Sequence, residues 1–257
     1  MKKSIFAVLL CCFISYGWSQ HTDFKKTIEN KYSIIALVSD KGGLQEVGRD
    51  NVASKSSWEK LIFGTTNAEI EFSVEPSFSG AYGLRLRKEA QDNPWVLEIA
   101  RISNWDDVEK ELKRKFPIVS LPIELTTSPY FKNIEKVITQ YNIEMYEKRA
   151  KEREKLDLYE IQVTSIPVSE RFAKNFYTKL ATFIVNFKGG RLPAGRIQGD
   201  GEYTTFRGIM DEEVWTLQIS PKTEGEAALL SNLCKRIIAD SETGNFNETE
   251  YIKELTN

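Results

Sequence analysis

The residues of this chain that are best suited to binding chemistry lie in one glycine-rich stretch at positions 188–203. Five glycines occur there, and glycine-rich backbone amides can form concave sites for anions. The pattern matches neither a phosphate-binding loop nor a strand–glycine–helix dinucleotide motif, so it does not indicate a nucleotide site. The alternative interpretation is a long, flexible connection between a helix and a hairpin, although long loops in compact domains are often functional. The candidate binding residues in and beside this stretch are Arg191, Arg196, Asp200, Glu202 and Arg207.

Carboxylates are the second group that could perform chemistry. A glycosidase requires two of them at a defined separation across a cleft, and Asp200, Glu202 and residues 211–213 supply candidates. We expect residues 211–213 to form a hairpin turn, in the place that residues 92–94 hold in the first half of the chain. A hydrolase acting on an envelope glycan or peptide through Asp200 or Glu202 is therefore the alternative to a non-catalytic function.

Histidine and cysteine usage excludes several classes of enzyme. The single histidine, His21, lies near the N-terminus, so neither a Ser-His-Asp nor a Cys-His arrangement has a credible base. Zinc sites built on histidine, or on several thiolates, are excluded in the same way, and we expect neither a metal nor a cofactor. Cys234 shares an apolar helical face with Leu230, Leu233 and Ile237, which favours a buried structural thiol over a nucleophile.

The N-terminus has the pattern of a cleavable secretory signal peptide of bacterial type. Two lysines precede an uncharged apolar run over residues 5–13, and the small residues Gly17 and Ser19 precede a cleavage site before Gln20. The run is shorter than the roughly 20 residues that a membrane span needs, which disfavours an anchor. A lipoprotein is a further alternative, because two cysteines lie in the run. We expect an exported chain, periplasmic or secreted, without a transmembrane segment after cleavage.

Composition limits the partners that this chain can have. Removal of residues 1–19 takes away two lysines and leaves 238 residues with a net charge of −4. A slightly acidic chain is a poor candidate for binding nucleic acid, which needs clustered cations. With a single cysteine left in the exported form, no internal disulfide can form.

Hydrophobic periodicity predicts an α+β fold that must position these residues. Residues 23–38 fit a helix, although 32–38 also fit a strand, and residues 147–155 mix both signs of charge. We expect this run to be a solvated helix end; a basic docking site is the alternative. The other predicted helices lie at 56–62, at 104–115 with Asn104 as the cap, from about 130 onwards, from Ser169 onwards with Ser169 as the cap, and at 224–239. The predicted strands lie at 70–75, 84–87, 95–99, 156–166, around Phe206 and at 214–219. A polar, partly helical tail ends the chain. Trp58, Trp95, Trp105 and Trp215 fall on faces predicted to be buried.

A possible internal duplication relates the two halves. The motif Trp-x-Leu-x-Ile occurs at residues 95–99 and 215–219, each time before an amphipathic helix. The expected fold is a tandem pair of helix–β-meander–helix modules, with antiparallel sheets packed on helices; the alternative is that such strands are generic. The corresponding boundaries are a signal peptide at 1–19, a first module at 20–118, a proline-containing connector at 119–129, a second module at 130–240 and a tail at 241–257.

These features favour an exported, non-catalytic protein that binds a small ligand or a protein of the cell envelope. The hydrolase described above is the second hypothesis. A structural or inhibitory factor of the envelope, without a small-molecule pocket, is the third.

Overall fold

The computed structural model describes residues 54–88, 94–120, 132–187, 201–219 and 225–256, and for residues 34–39, 132 and 133 it describes the backbone alone. The strands are β1 (Ile34–Ser39), β2 (Ile70–Pro76), β3 (Tyr82–Lys88), β4 (Trp95–Ile102), β5 (Ile161–Val168), β6 (Glu202–Met210) and β7 (Glu213–Ile219). The helices are α1 (Ser57–Phe63), α2 (Trp105–Lys115), α3 (Lys132–Arg153), α4 (Glu170–Asn186), α5 (Glu226–Thr243) and α6 (Glu248–Thr256), and a 3-10 turn, Leu156–Leu158, precedes β5.

All seven described strands form one antiparallel sheet in the order β1-β7-β6-β2-β3-β4-β5. The α+β class is thereby confirmed. Strands of the two halves interleave, because β7 lies between β1 and β6, and β5 pairs with β4. For residues 34–38 the strand alternative is the correct one, while residues 23–33 lie outside the described part of the chain.

The internal duplication is not confirmed. The two Trp-x-Leu-x-Ile motifs lie in β4 and β7, and Leu97 and Leu217 face the same large core. In β7 the motif faces the helix that follows it, α5, whereas in β4 it faces away from the following helix, α2, which packs on the other side of the sheet. The similarity of the two strands is therefore one of local burial.

The first face of the sheet carries the main core. Alternate strand residues such as Ile70, Phe72 and Leu84 point towards α4, α5 and α6 and are fully buried. Each such side chain stabilises the fold by about 1.5–3 kcal/mol through its removal from water. The predicted tail contains α6, whose Tyr251 and Leu255 are buried in this core.

The second face of the sheet packs against α1 and α2 through a smaller apolar cluster that includes Phe63, Ile102 and Tyr159. A Cβ at Gly83 would lie 2.8 Å from the Phe63 ring of α1 and 2.3 Å from the carbonyl oxygen of Phe72 in the neighbouring strand β2. Only glycine therefore fits at position 83.

The helix starts confirm one predicted cap and contradict another. The Ser169 side chain accepts a hydrogen bond from the backbone N–H of Phe172 and caps α4, as predicted. The Asn104 side chain does not cap α2. Instead it donates to the Leu158 carbonyl at 3.0 Å and accepts from the Glu160 N–H at 2.9 Å, which joins the start of α2 to the start of β5.

No described helix combines the length and the hydropathy that crossing a membrane requires.

Candidate functional site

A network of buried charges lies between α1 and the second face of the sheet. Arg207 of β6 is about 1% exposed and donates to both carboxylate oxygens of Glu59, at 3.1 and 3.3 Å. Its Nε donates to Thr216 at 3.1 Å, and Glu59 also accepts from Ser73 at 3.0 Å. Glu59 completes a capping box with Ser56 at the start of α1, so one carboxylate fixes both the helix and the guanidinium.

A second buried ion pair adjoins the first. The Lys55 ammonium donates to Glu71 at 2.8 Å and to the Thr66 carbonyl at 2.6 Å. Burial lowers the pKa of Lys55, and the nearby carboxylate of Glu71 opposes that shift. The second carboxylate oxygen of Glu71, Oε2, lies 3.7 Å from the Arg207 guanidinium and has no hydrogen-bond partner among the described residues. Two cations and two carboxylates thus balance each other away from solvent, which is the pattern of a structural network.

The structure does not bring the described members of the predicted binding set together. Arg207 faces the buried network, whereas Glu202 lies on the opposite face of β6 and is ion-paired with Lys235 of α5. Arg191, Arg196 and Asp200 lie outside the described residues. A hairpin turn joins β6 and β7 as predicted, but it comprises residues 211 and 212 only, because Glu213 is the first residue of β7.

A groove of about 660 Å³ lies between α2, α3 and the turn that follows β2. Its volume is in the range of ligand-binding clefts. Sequence analysis did not identify it as a site. It is lined by Ser77, Phe78, Trp105, Asp106, Glu109, Lys110, Lys113, Tyr146, Arg149 and Arg153.

Aromatic side chains supply the apolar part of this α2–α3 groove. Phe78 is 75% exposed and Tyr146 is 57% exposed, which is unusual for rings of this size. Trp105 is half-buried, because its ring stacks on Tyr159 and meets the edge of Trp58. Trp105 therefore joins the core to the groove.

Two arginines of α3 reach across to α2 in different ways. Arg153 donates to both oxygens of Glu109, at 2.6 and 2.8 Å, and this hydrogen bonding raises the pKa of Arg153. Arg149 donates instead to the carbonyl oxygen of Phe116 at 2.7 Å, and its guanidinium lies 5.9 Å from the Tyr146 ring centre. Arg149 is thus oriented by backbone and ring contacts while its charge is left uncompensated.

The groove has an excess of positive charge. Among the described residues, no carboxylate forms an ion pair with Lys110, Lys113 or Arg149. Four cationic and two carboxylate side chains line the groove, giving a net charge of +2, although the whole chain carries −2. An anion that enters the groove therefore meets an attractive local field in spite of the overall charge.

One end of the glycine-rich stretch is fixed beside this groove. The Ser77 N–H donates to the Gly201 carbonyl at 3.0 Å, and the Gly201 N–H donates to the Ser77 hydroxyl at 3.2 Å. Phe78, the next residue after Ser77, lines the groove. The predicted binding stretch and the groove are therefore adjacent at residue 201.

Cys234 is fully buried, and burial raises the pKa of its thiol, which confirms it as a structural residue. Within the described ranges, no group of three or more His, Cys, Asp or Glu side chains is placed to hold a metal ion.

The groove had one signal in the sequence. Arg149 and Arg153 belong to the mixed charge run at 147–155, for which a basic docking site was the alternative interpretation. The run ends α3 and is mostly exposed, as expected of a solvated helix end, while Arg149 and Arg153 are partly buried and line the groove. Phe78 and Lys110 carried no signal, since Phe78 follows β2 and Lys110 lies on α2, and only tertiary packing brings the two into one groove.

Comparisons of the chain with protein-family models, with curated proteins and with solved structures give no match.

Proposed function

We propose that the protein is an exported, non-catalytic binding module whose α2–α3 groove holds an acidic segment of a partner protein. The observation that carries this proposal is the set of unpaired cations beside exposed aromatic rings. Carboxylates of a partner would pair with Lys110, Lys113 and Arg149, and an apolar side chain next to them would pack on Phe78 and Tyr146. Arginine and aromatic residues are also the types that are enriched in protein interfaces.

The N-terminal signal pattern supports the export part of this proposal. Of the two carboxylates predicted for hydrolysis, Glu202 is paired with Lys235, and the buried carboxylates Glu59, Glu71 and Glu98 are each paired with a cation.

Binding of a fluorescein-labelled peptide of Glu and Phe residues, followed by anisotropy, tests the proposal. The double variant Lys110→Glu and Lys113→Glu reverses two charges of the groove. If each lysine contributes about 1 kcal/mol to peptide binding, reversing both charges weakens binding by at least tenfold. Added salt should weaken the wild-type complex as well. Phe78→Ala weakens binding without changing charge.

The matched control is the double variant Lys148→Glu and Lys151→Glu. These exposed residues of α3 do not line the groove, and their reversal changes net charge by the same amount. We expect the control to bind within about threefold of wild type, since its charges are screened from the site. An equal loss of peptide affinity in both double variants would contradict the proposal, and so would the absence of any peptide binding by the wild type.

The glycine-rich stretch belongs to the same proposal. Its described end, Gly201, contacts the turn that carries Phe78. Arg191 and Arg196, the cations predicted for binding in this stretch, are proposed to pair with the same acidic segment. Replacing both by Ser should weaken peptide binding while thermal unfolding stays unchanged. Hydrolysis of the peptide that Glu202→Gln abolishes would favour the enzyme hypothesis instead.

A further inference from the structure

Strand β5 forms one edge of the sheet. It pairs with β4 on one side, and no described strand pairs with its other side. Gln162, Val163, Ser165 and Pro167 are exposed along this strand, and Val163 is 51% exposed. The edge is therefore open to a further strand as far as the described residues show.

The hydrogen-bond pattern shows which backbone groups of β5 point outwards. The Ile102 N–H donates to the Ala81 carbonyl, so the even-numbered residues of β4 bond to β3. The Ser103 N–H donates to the Glu160 carbonyl, so the odd-numbered residues of β4 bond to even-numbered residues of β5. The outward-facing backbone groups are consequently those of Ile161, Val163, Ser165 and Pro167.

The edge lacks the charges with which sheets normally prevent association. The sequence of β5, IQVTSIPV, contains no charged residue, and its one protective feature is Pro167 near the end. Pro167 lacks an N–H, but that N–H would point outwards, which is where proline is tolerated in a sheet. Ile161, Val163 and Ser165 each have an outward-facing backbone N–H that can donate to another strand.

We propose that two copies of the chain pair antiparallel through β5, with Val163 on the two-fold axis. In this register Ile161 pairs with Ser165 of the second copy and Val163 pairs with Val163, so six backbone hydrogen bonds form. A register centred on Ser165 would set Pro167 opposite Val163 and lose a hydrogen bond at each end. A register centred on Thr164 would also form six hydrogen bonds, but it would set Val163 opposite Ser165. Pro167 thus disfavours a centre at Ser165, and the contact between two exposed valines favours Val163 over Thr164. The uncharged strand allows identical residues to meet. The proposal is independent of the α2–α3 groove.

Oligomeric state and a cysteine cross-link test this pairing. The chain is expressed from its first residue, and the mass of the purified product is measured by light scattering over a concentration series. We expect the mass to rise towards twice that of the monomer. Val163→Lys places two like charges on the axis and should yield a monomer, whereas Val185→Lys, at the equally exposed Val185 of α4, should still dimerise.

The register is tested by single cysteines under mild oxidation, since Cys234 is buried. Across a hydrogen-bonded pair the Cα atoms lie about 5.5 Å apart, within the range of a disulfide, so Val163→Cys should form a covalent dimer. In Ser165→Cys the two Cα atoms would lie about 13 Å apart along the strands, which is beyond that range.

A monomer at every concentration overturns the proposal. So does a dimer that Val163→Lys leaves intact, or one in which Ser165→Cys cross-links as readily as Val163→Cys. If Val163→Lys fails to fold, as judged by its thermal unfolding, the cysteine pair decides alone.

Discussion

Removal of the Glu59 carboxylate leaves the Arg207 guanidinium without its partner inside the protein. Arg207 is about 1% exposed, and the next carboxylate, Glu71, is 3.7 Å away and already pairs with Lys55. Breaking a buried ion pair on one side costs about 3–5 kcal/mol. Loss of the capping box with Ser56 adds about 1 kcal/mol. We therefore expect Glu59→Ala to lower the free energy of unfolding by at least about 3 kcal/mol.

A double-mutant cycle separates the charge from the rest of the side chain. Glu59→Gln keeps one oxygen, which can accept from either Ser73 or the Ser56 N–H because these two donate to different carboxylate oxygens, but it loses the charge. Arg207→Met removes the other charge and keeps an apolar stem of similar length. Because the double variant leaves neither charge of the pair uncompensated, its destabilisation should be smaller than the sum of the single ones by about 2 kcal/mol.

Urea unfolding followed by far-UV circular dichroism measures these differences. The matched control is Glu111→Ala on α2, which removes an exposed carboxylate that pairs with the exposed Arg114. That pair should contribute little to stability, because both of its charges are exposed to solvent. If Glu59→Ala costs no more than Glu111→Ala, the buried network does not hold α1 on the sheet and the reasoning fails.

Two further predictions concern the β6–β7 turn and the buried tyrosines. Asp211 and Glu212 have φ values of 51° and 65°, in the left-handed region that glycine adopts without strain. Glu212→Gly should therefore raise the free energy of unfolding by about 1 kcal/mol and shift the urea midpoint upwards. An unchanged midpoint would contradict the strain. Burial, with a contribution from Glu202, raises the pKa of Tyr82 from 10.0 to about 12. Burial, with a contribution from Glu109, likewise raises the pKa of Tyr159 to about 12. Since the unfolded chain loses these protons first, stability should fall as pH rises from about 10 to about 12, and a phenolate absorbance titration that gives ordinary pKa values for both tyrosines would refute their burial.

The elements that depend on local pattern could be predicted from the sequence. Alternation of apolar residues in β2, and the serine at the start of α4, act over a few residues, and both have the expected structure. Asn104 shows the limit of such reasoning. Its residue type suits a cap, but the side chain is used by Leu158 and Glu160, which lie more than fifty positions away.

The place of Arg207 could not be predicted because its partner is distant in sequence. An arginine in a strand beside a glycine-rich loop suggests an exposed binding residue. Glu59, however, lies 148 positions earlier and covers the second face of the sheet through α1. The sequence pattern indicates which face of β6 Arg207 occupies, but it carries no information on which helix packs there.

The positive charge of the α2–α3 groove follows from ion pairs formed between the helices. A run with both signs of charge suggests ion pairs within one helix, although residues 147–155 hold five cations and three carboxylates and so carry a net charge of +2. In the structure Glu109 of α2 is taken by Arg153 of α3, and Glu152 of α3 is shared by Lys115 and Lys155. These contacts join the two helices and engage Glu109 and Glu152, and Arg149 forms no ion pair among the described residues. The packing that fixes α3 against α2 thereby also creates the surplus of cations on which the proposed recognition of an acidic segment depends.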